Sequence, residues 1–152
     1  MKKKAALFFL LALCIFLLDQ ITKQLIIHHI GPFDTLRVAP FFNIIYAENT
    51  GSAFGMFKSL GNSFFIAVAL GALIAVSVLL VRDGENRLLY SLVLGGAAGN
   101  LADRIRYGYV VDFLDLHIGS HHWPTFNVAD SALTLGILLL LYKTFRDYKK
   151  GT

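Results

Sequence analysis

The chain has 152 residues, 56% of them hydrophobic and only 16% charged, with a formal net charge of +4 and a mean hydropathy of +0.62. Soluble domains carry about 25% charged residues and disordered chains are poor in apolar ones, so both classes are excluded. The length suits one domain, and the lone Cys14 cannot close an internal disulfide.

In chain order, the run from Ala5 to Leu18 is uncharged and continues past Asp19 and Lys23 to Ile27, which predicts a first membrane span over about 5–27 with two ionisable groups inside it. Met1-Lys2-Lys3-Lys4 before an apolar run also has the form of a secretory leader. Leu13 is bulky where a small residue should precede a cleavage-site cysteine, and the apolar run continues beyond Cys14, so a retained span is expected. Residues 28–62 are less apolar and carry the turn signals Gly31-Pro32, Ala39-Pro40 and Asn49-Thr50-Gly51, predicting an outer cap. Within it, Phe41 to Tyr46 reads as a strand pairing with Leu36 to Val38, and Ala53 to Phe57 as a short interfacial helix.

The stretch from Phe64 to Val81 has Ser77 as its only polar side chain and predicts a span over 63–81. Leu88 to Ala102, ending at Asp103 and Arg104, predicts a third span over 88–106. Residues 107–127 read as an outer loop, and Val128 to Tyr142 predicts a fourth span over 128–145 with Asp130 at its start. The expected fold is thus an all-α polytopic membrane protein, a single membrane domain with four transmembrane helices, a small extracytoplasmic β-cap and a short interfacial helix. Four apolar runs in so short a chain leave too little polar sequence to cover them in water.

Nine of the fourteen Lys and Arg residues fall on the side of the N-terminus and five on the other, which places both termini in the cytoplasm. The basic pI of about 9.3 is then positive-inside bias, and no nucleic-acid partner is expected.

A helix rises about 1.5 Å per residue, so Asp19 lies about 21 Å across from Ala5, and Asn100 and Asp103 about 18 and 22 Å across from Leu88. Asp130 lies about 3 Å below the outer surface by the same rise. Three helices therefore deliver acids and amides to one outer layer, where an ionisable group is a functional candidate. Asn127, Asp130 and Thr134 share one helix face, as do Asn100, Asp103 and Arg104, and Asp19 and Lys23. The plainer role for Asp19 with Lys23, and for Asp103 with Arg104, is mutual neutralisation. That role does not fit Asp130, which has no cation within a helical turn. Gly95 and Gly99 form a GxxxG pattern that lets a neighbouring helix close in and bring Asn100 and Asp103 against its polar face.

Two carboxylates close together in a low-dielectric site share a proton, one acting as base toward water and the other as acid toward a carbonyl oxygen. Asp130 is one candidate; depth alone leaves Asp103, Asp112 and Asp115 open as the other. His117, His121 and His122 with Asp112 or Asp115 invite a metal reading, but there is no HExxH and the loop spaces them freely, so no metal and no cofactor is expected. Trp123 and Tyr107 read as interfacial anchors. An ion pathway would need polar groups through the whole thickness, and the inner halves of the spans supply almost none.

The ordered motifs Asp19-Gln20-Ile21-Thr22-Lys23, Asn49-Thr50-Gly51-Ser52-Ala53-Phe54, Gly95 to Asn100 with Asp103-Arg104, Val110-Val111-Asp112-Phe113 and Phe126 to Ser131 resemble those of bacterial lipoprotein signal peptidase, signal peptidase II. The resemblance implies a membrane-embedded aspartyl endopeptidase that cuts the signal peptide from diacylglyceryl-modified prolipoproteins just before the lipidated cysteine. It implies a monomer in the bilayer of a bacterial cytoplasmic (inner) membrane, with the active site toward the extracytoplasmic side. It also maps the catalytic pair onto Asp112 and Asp130, and places Asp19, Lys23, Asn100, Asp103, Arg104, Asn127 and Ala129 around them, with Asn49 and Gly51 near substrate at the cap. Asn100 and Asn127 are expected to hold the pair or the substrate, and Asp103 to fix Arg104. The stretch from His117 to Trp123 matches none of these motifs and carries no assigned role.

Overall fold

The computed structural model describes residues 2–51 and 61–151. The expected interfacial helix at Ala53 to Phe57 lies outside the described residues. Among the described residues four helices run over Lys2–His29 (α1), Gly61–Arg82 (α2), Arg87–Arg106 (α3) and Val128–Gly151 (α4), with strands Thr35–Ala39 (β1), Phe42–Asn49 (β2), Val110–Ile118 (β3) and His121–His122 (β4).

Three of the helices are long and apolar enough to cross a membrane: Ala5–His29, Gly61–Arg82 and Val128–Lys150, with mean hydropathies of 2.2, 2.9 and 1.5. They leave large apolar side chains such as Leu10, Leu18, Ile21, Ile74 and Leu138 more than half exposed. Water would disfavour so much uncovered apolar surface, whereas hydrocarbon accepts it.

α3 differs because it is the central helix, packed by each of the other three. Small residues make that possible. A Cβ added at Gly95 would come within 2.6 Å of the Ala12 carbonyl oxygen on α1, and one at Gly96 within 2.5 Å of the Ala129 carbonyl oxygen on α4. The glycines that lower the hydropathy of α3 are therefore those that let α1 and α4 approach its backbone. At the other end, buried Arg87 donates to the carbonyls of Leu80 and Val81 at 3.0 and 3.2 Å, satisfying the last turn of α2 with a cation at its negative pole.

β1 and β2 form the hairpin expected from the sequence, with Leu36 opposite Ile44 and Arg37 opposite Asn43. The expectation of a plain loop over 107–127 is corrected. β3 pairs antiparallel with β2 and β4 with β3, giving a sheet of order β1-β2-β3-β4. Val111 and Phe113 alternate inward to pack with Ile26 of α1, Ile44 and Tyr46. The two acids within β3 obscure this alternation in the sequence, since each interrupts an apolar run.

Apolar clusters lie on either side of a polar layer. One contains Ala5, Ala12, Leu80 and Leu94, the other Ile26, Val111 and Phe113, and between them along α1 stand Asp19 and Lys23, both fully buried.

Candidate active site

Asn127 immediately precedes α4 and caps it, its side-chain oxygen accepting the backbone N–H of Asp130 at 2.8 Å. Its amide nitrogen donates to Asp112 Oδ1 at 2.7 Å and, less closely, to the Val111 carbonyl and Asn100 Oδ1, both at 3.2 Å. One buried side chain thus positions the first turn of α4, which carries Asp130, and the carboxylate of Asp112 on β3. Asn100 of α3 donates to Asp130 Oδ1 at 2.7 Å. The helices and the sheet supply one carboxylate each.

A bulge completes the arrangement. Asn43 lies opposite Asp115 and Ala47 opposite Asp112, so β2 spends four steps where β3 spends three. That extra residue switches the face to which β2 side chains point. Asn43 shares a face with Asp115 and donates to it at 2.9 Å, whereas Asn49 shares the face of Asp112 and donates to its Oδ2 at 3.0 Å.

Beneath the pair lies an ion cluster. Lys23 reaches Asp19 Oδ2 and Asp103 Oδ2, each at 2.9 Å, and donates to Asn100 Oδ1 at 3.1 Å. Asp19 Oδ1 accepts the Ala129 N–H at 2.9 Å and Asp103 Oδ2 accepts the Val111 N–H at 3.0 Å, so the cluster fastens both α4 and β3. Gln20, unremarkable in the sequence beyond its motif, bridges Asp103, Asp19 and the Gly99 carbonyl at 2.9, 3.2 and 3.2 Å. Its place in the Asp19-to-Lys23 motif was the available signal.

The expected support of Arg104 by Asp103 is corrected: among the described residues Asp103 pairs with Lys23 and forms no ion pair with Arg104. Arg104 instead donates to the Gly51 carbonyl and lies 4.2 Å from the centroid of the Phe65 ring. Consecutive residues on a helix diverge by about 100°, so Asp103 turns to Lys23 while Arg104 turns to Gly51. Gly51 is in turn held by Asn49, whose Oδ1 accepts its N–H at 3.0 Å. Ala129 is fully buried, and its small side chain lies against Gly99.

A cavity of about 720 Å³ opens beside these groups. Asn49, Gly51, Asn100, Arg104, Asp130 and Ser131 form its polar wall, and Leu133, Leu135 and Leu138 of α4 its apolar one. Burial first, and then the negative charge of Asp130, push the Asp112 carboxyl up to about 7, against hydrogen bonds from Asn49 and Asn127 and the charge of Lys23. A carboxyl poised there can hold a proton or release it at neutral pH.

His117, His121 and His122 stand apart from this pair, on the β3–β4 hairpin. His122 donates from Nδ1 to Asp115 at 2.7 Å and its ring stacks on that of His117 at 4.9 Å. Asp115 points to the opposite face from Asp112, which separates two acids that depth alone left equivalent.

A model of the family described as signal peptidase (SPase) II matches residues 11–146. The chain belongs to this family. It is 50% identical to the lipoprotein signal peptidase of Thermodesulfovibrio yellowstonii over 87% of this chain and 90% of that one. It is 42% identical to the lipoprotein signal peptidase of Burkholderia thailandensis over 90% of this chain and 86% of that one. Two solved structures described as bacterial membrane enzymes share the fold, with TM-scores of 0.89 and 0.83 at 32% and 33% identity. The first covers 97% of this chain and 92% of its own, the second 93% and 94%. The family's members are peptidases, and this one is carried on helices apolar enough to enter a membrane.

Proposed function

We propose that this chain is an aspartic endopeptidase that removes signal peptides from diacylglyceryl-modified prolipoproteins by hydrolysis immediately before the lipidated cysteine, with Asp112 and Asp130 as its catalytic pair. The observation that carries the reading is the double use of Asn127, which orients one carboxylate through its amide and the turn bearing the other through its carbonyl oxygen. A water between the carboxylates gives up a proton to the ionised one, while the protonated one donates to the scissile carbonyl and then to the leaving amine. Both roles are filled by the pair itself, so the scheme calls on no cofactor and no metal.

Asn49 and Asn100 hold the outer oxygens of the pair, and Arg104 with Gly51 shapes the cavity mouth. The ion cluster of Asp19, Lys23 and Asp103 positions the elements that carry the carboxylates. Ala129, against Gly96 and Gly99 of α3 and held by Asp19 of α1, keeps the first turn of α4 close. The apolar wall of Leu133, Leu135 and Leu138 suits the acyl chains and the apolar signal segment, which need not leave the bilayer to be cut.

The same reading makes α3 a fourth span, sheltered from lipid by its neighbours, in a single membrane domain that acts as a monomer. Both termini lie in the cytoplasm and the pair lies near the extracytoplasmic face of a bacterial inner membrane, in keeping with the distribution of Lys and Arg.

The test is cleavage of a lipobox peptide, with and without diacylglyceryl on its cysteine, by detergent-purified wild type and Asp112→Asn protein, with and without EDTA. Cleavage of the lipidated peptide alone, by wild type alone and unaffected by EDTA, is the expected result. Full activity of Asp112→Asn, or its loss in EDTA, would overturn the assignment.

A further inference from the structure

A second groove of about 720 Å³ lies on the face of the sheet turned away from Asp112, with Arg37, Asn43, Asp115, His117 and His122 among its lining. The alternation of β3 creates it: Val110 and Leu116, on the face that also carries Asp112, line the active-site cavity, and Asp115 and His117 line the groove. The two concavities meet. Trp123 and Thr125 line both, in an extended segment that runs beside β3, where Trp123 N–H donates to the Leu116 carbonyl at 2.8 Å and Phe126 and Leu114 exchange hydrogen bonds. A chain leaving the cavity over this edge of the sheet enters the groove.

Their linings differ as the two ends of a lipoprotein precursor differ. The cavity has the apolar wall of α4, whereas each of the four strands contributes at least one polar side chain to the groove. Within it Asp115 is already engaged, accepting from Asn43 and His122. Arg37 is exposed and its side chain has no ionic or hydrogen-bonding partner among the described residues, which leaves its guanidinium available for a ligand.

We propose that this groove receives the polypeptide downstream of the scissile bond, and that Arg37 favours an acidic side chain there. The inference rests on the peptidase reading above. Asp112 and His117 are five positions apart on β3, about 17 Å at the rise of a strand, so an extended substrate reaches the groove about four to seven residues past the cysteine. One ion pair at a partly exposed site is worth about two- to fivefold in binding.

The test compares three diacylglyceryl-modified lipobox peptides: one ending about two residues past the cysteine, and two extending through the groove with either Asp or Lys in that window. The expected result with wild type is a KM for the acidic long peptide about two- to fivefold below those of the other two, at similar kcat. In Arg37→Gln the ratio of KM values between the acidic and basic long peptides falls to about one. Equal KM values for all three peptides with wild type, or an acidic preference that survives Arg37→Gln, would overturn the groove's role. Failure of wild type to cut any of the three would overturn the peptidase reading and the groove with it.

Discussion

The carboxylate of Asp19 on α1 accepts the backbone N–H of Ala129 on α4 at 2.9 Å, across 110 positions of sequence. It satisfies an amide that the first turn of a helix leaves without a partner, at the pole where negative charge is favoured. The other oxygen of Asp19 is bound by Lys23, which also neutralises Asp103.

Lys23→Met therefore leaves two buried carboxylates facing each other without their cation. Breaking a buried ion pair in this way costs about 3–5 kcal/mol. Thermal unfolding in detergent should show a large drop in midpoint, and activity should fall with it because both α4 and β3 lose an anchor. An unchanged midpoint would show that the cluster does not hold the layer together.

Asp112→Asn and Asp130→Asn should each lower kcat/KM by at least about 10³-fold while leaving the protein folded, since Asn retains the shape and much of the hydrogen bonding. The double variant should be little worse than either single one, because residues that act as one unit are not additive. A tenfold gap between single and double variants would argue that the carboxylates act separately.

The pH dependence follows from the raised carboxyl of Asp112. If the pair must hold one proton, kcat/KM should trace a bell, falling on the alkaline side as pH rises through about 7 and on the acid side as the second carboxylate is protonated. The two apparent values belong to the pair.

Stability carries the same signature. The Asp112 carboxyl titrates near 7 when folded and near about 4 when unfolded, so the folded state holds the extra proton between those values. Its contribution to stability is full below pH 4 and is lost as pH rises to 7. Asp112→Asn escapes that loss. The midpoint of the variant relative to wild type should climb between pH 4 and 7 and level off above, as unfolding scans over that range would show.

Gly96→Ala and Gly71→Ala make a contrasting pair. A Cβ at Gly96 would stand 2.5 Å from the Ala129 carbonyl oxygen, whereas one at Gly71 meets nothing within 4 Å. The first should cost about 1–3 kcal/mol and also slow cleavage, because it displaces the turn that carries Asp130. The second, in the middle of α2, should be neutral or stabilise by up to about 1 kcal/mol. Equal effects would mean that the α3–α4 contact is not tight.

Much of this architecture was legible because it is local. Lengths of apolar runs predict helices, a rise of about 1.5 Å per residue puts Asp19, Asn100, Asp103 and Asp130 in one layer, and small residues mark the face of α3 that others approach. The hairpin of β1 and β2 was legible from its turn residues. The β3 strand was not, because its inward-facing Val111 and Phe113 flank an acid whose partners are distant in sequence.

The membrane character of the chain, the layer where its polar groups gather and, through the resemblance of its motifs, the family follow from the order of its residues. It took the packed fold to turn Asp112 toward Asn49 and Asn127 and Asp115 toward the groove, and to make Lys23 rather than Arg104 the partner of Asp103. The reason is that a strand side chain's face depends on register, and here one extra residue on β2, opposite a partner more than sixty positions away, reverses the face. No local periodicity encodes that reversal.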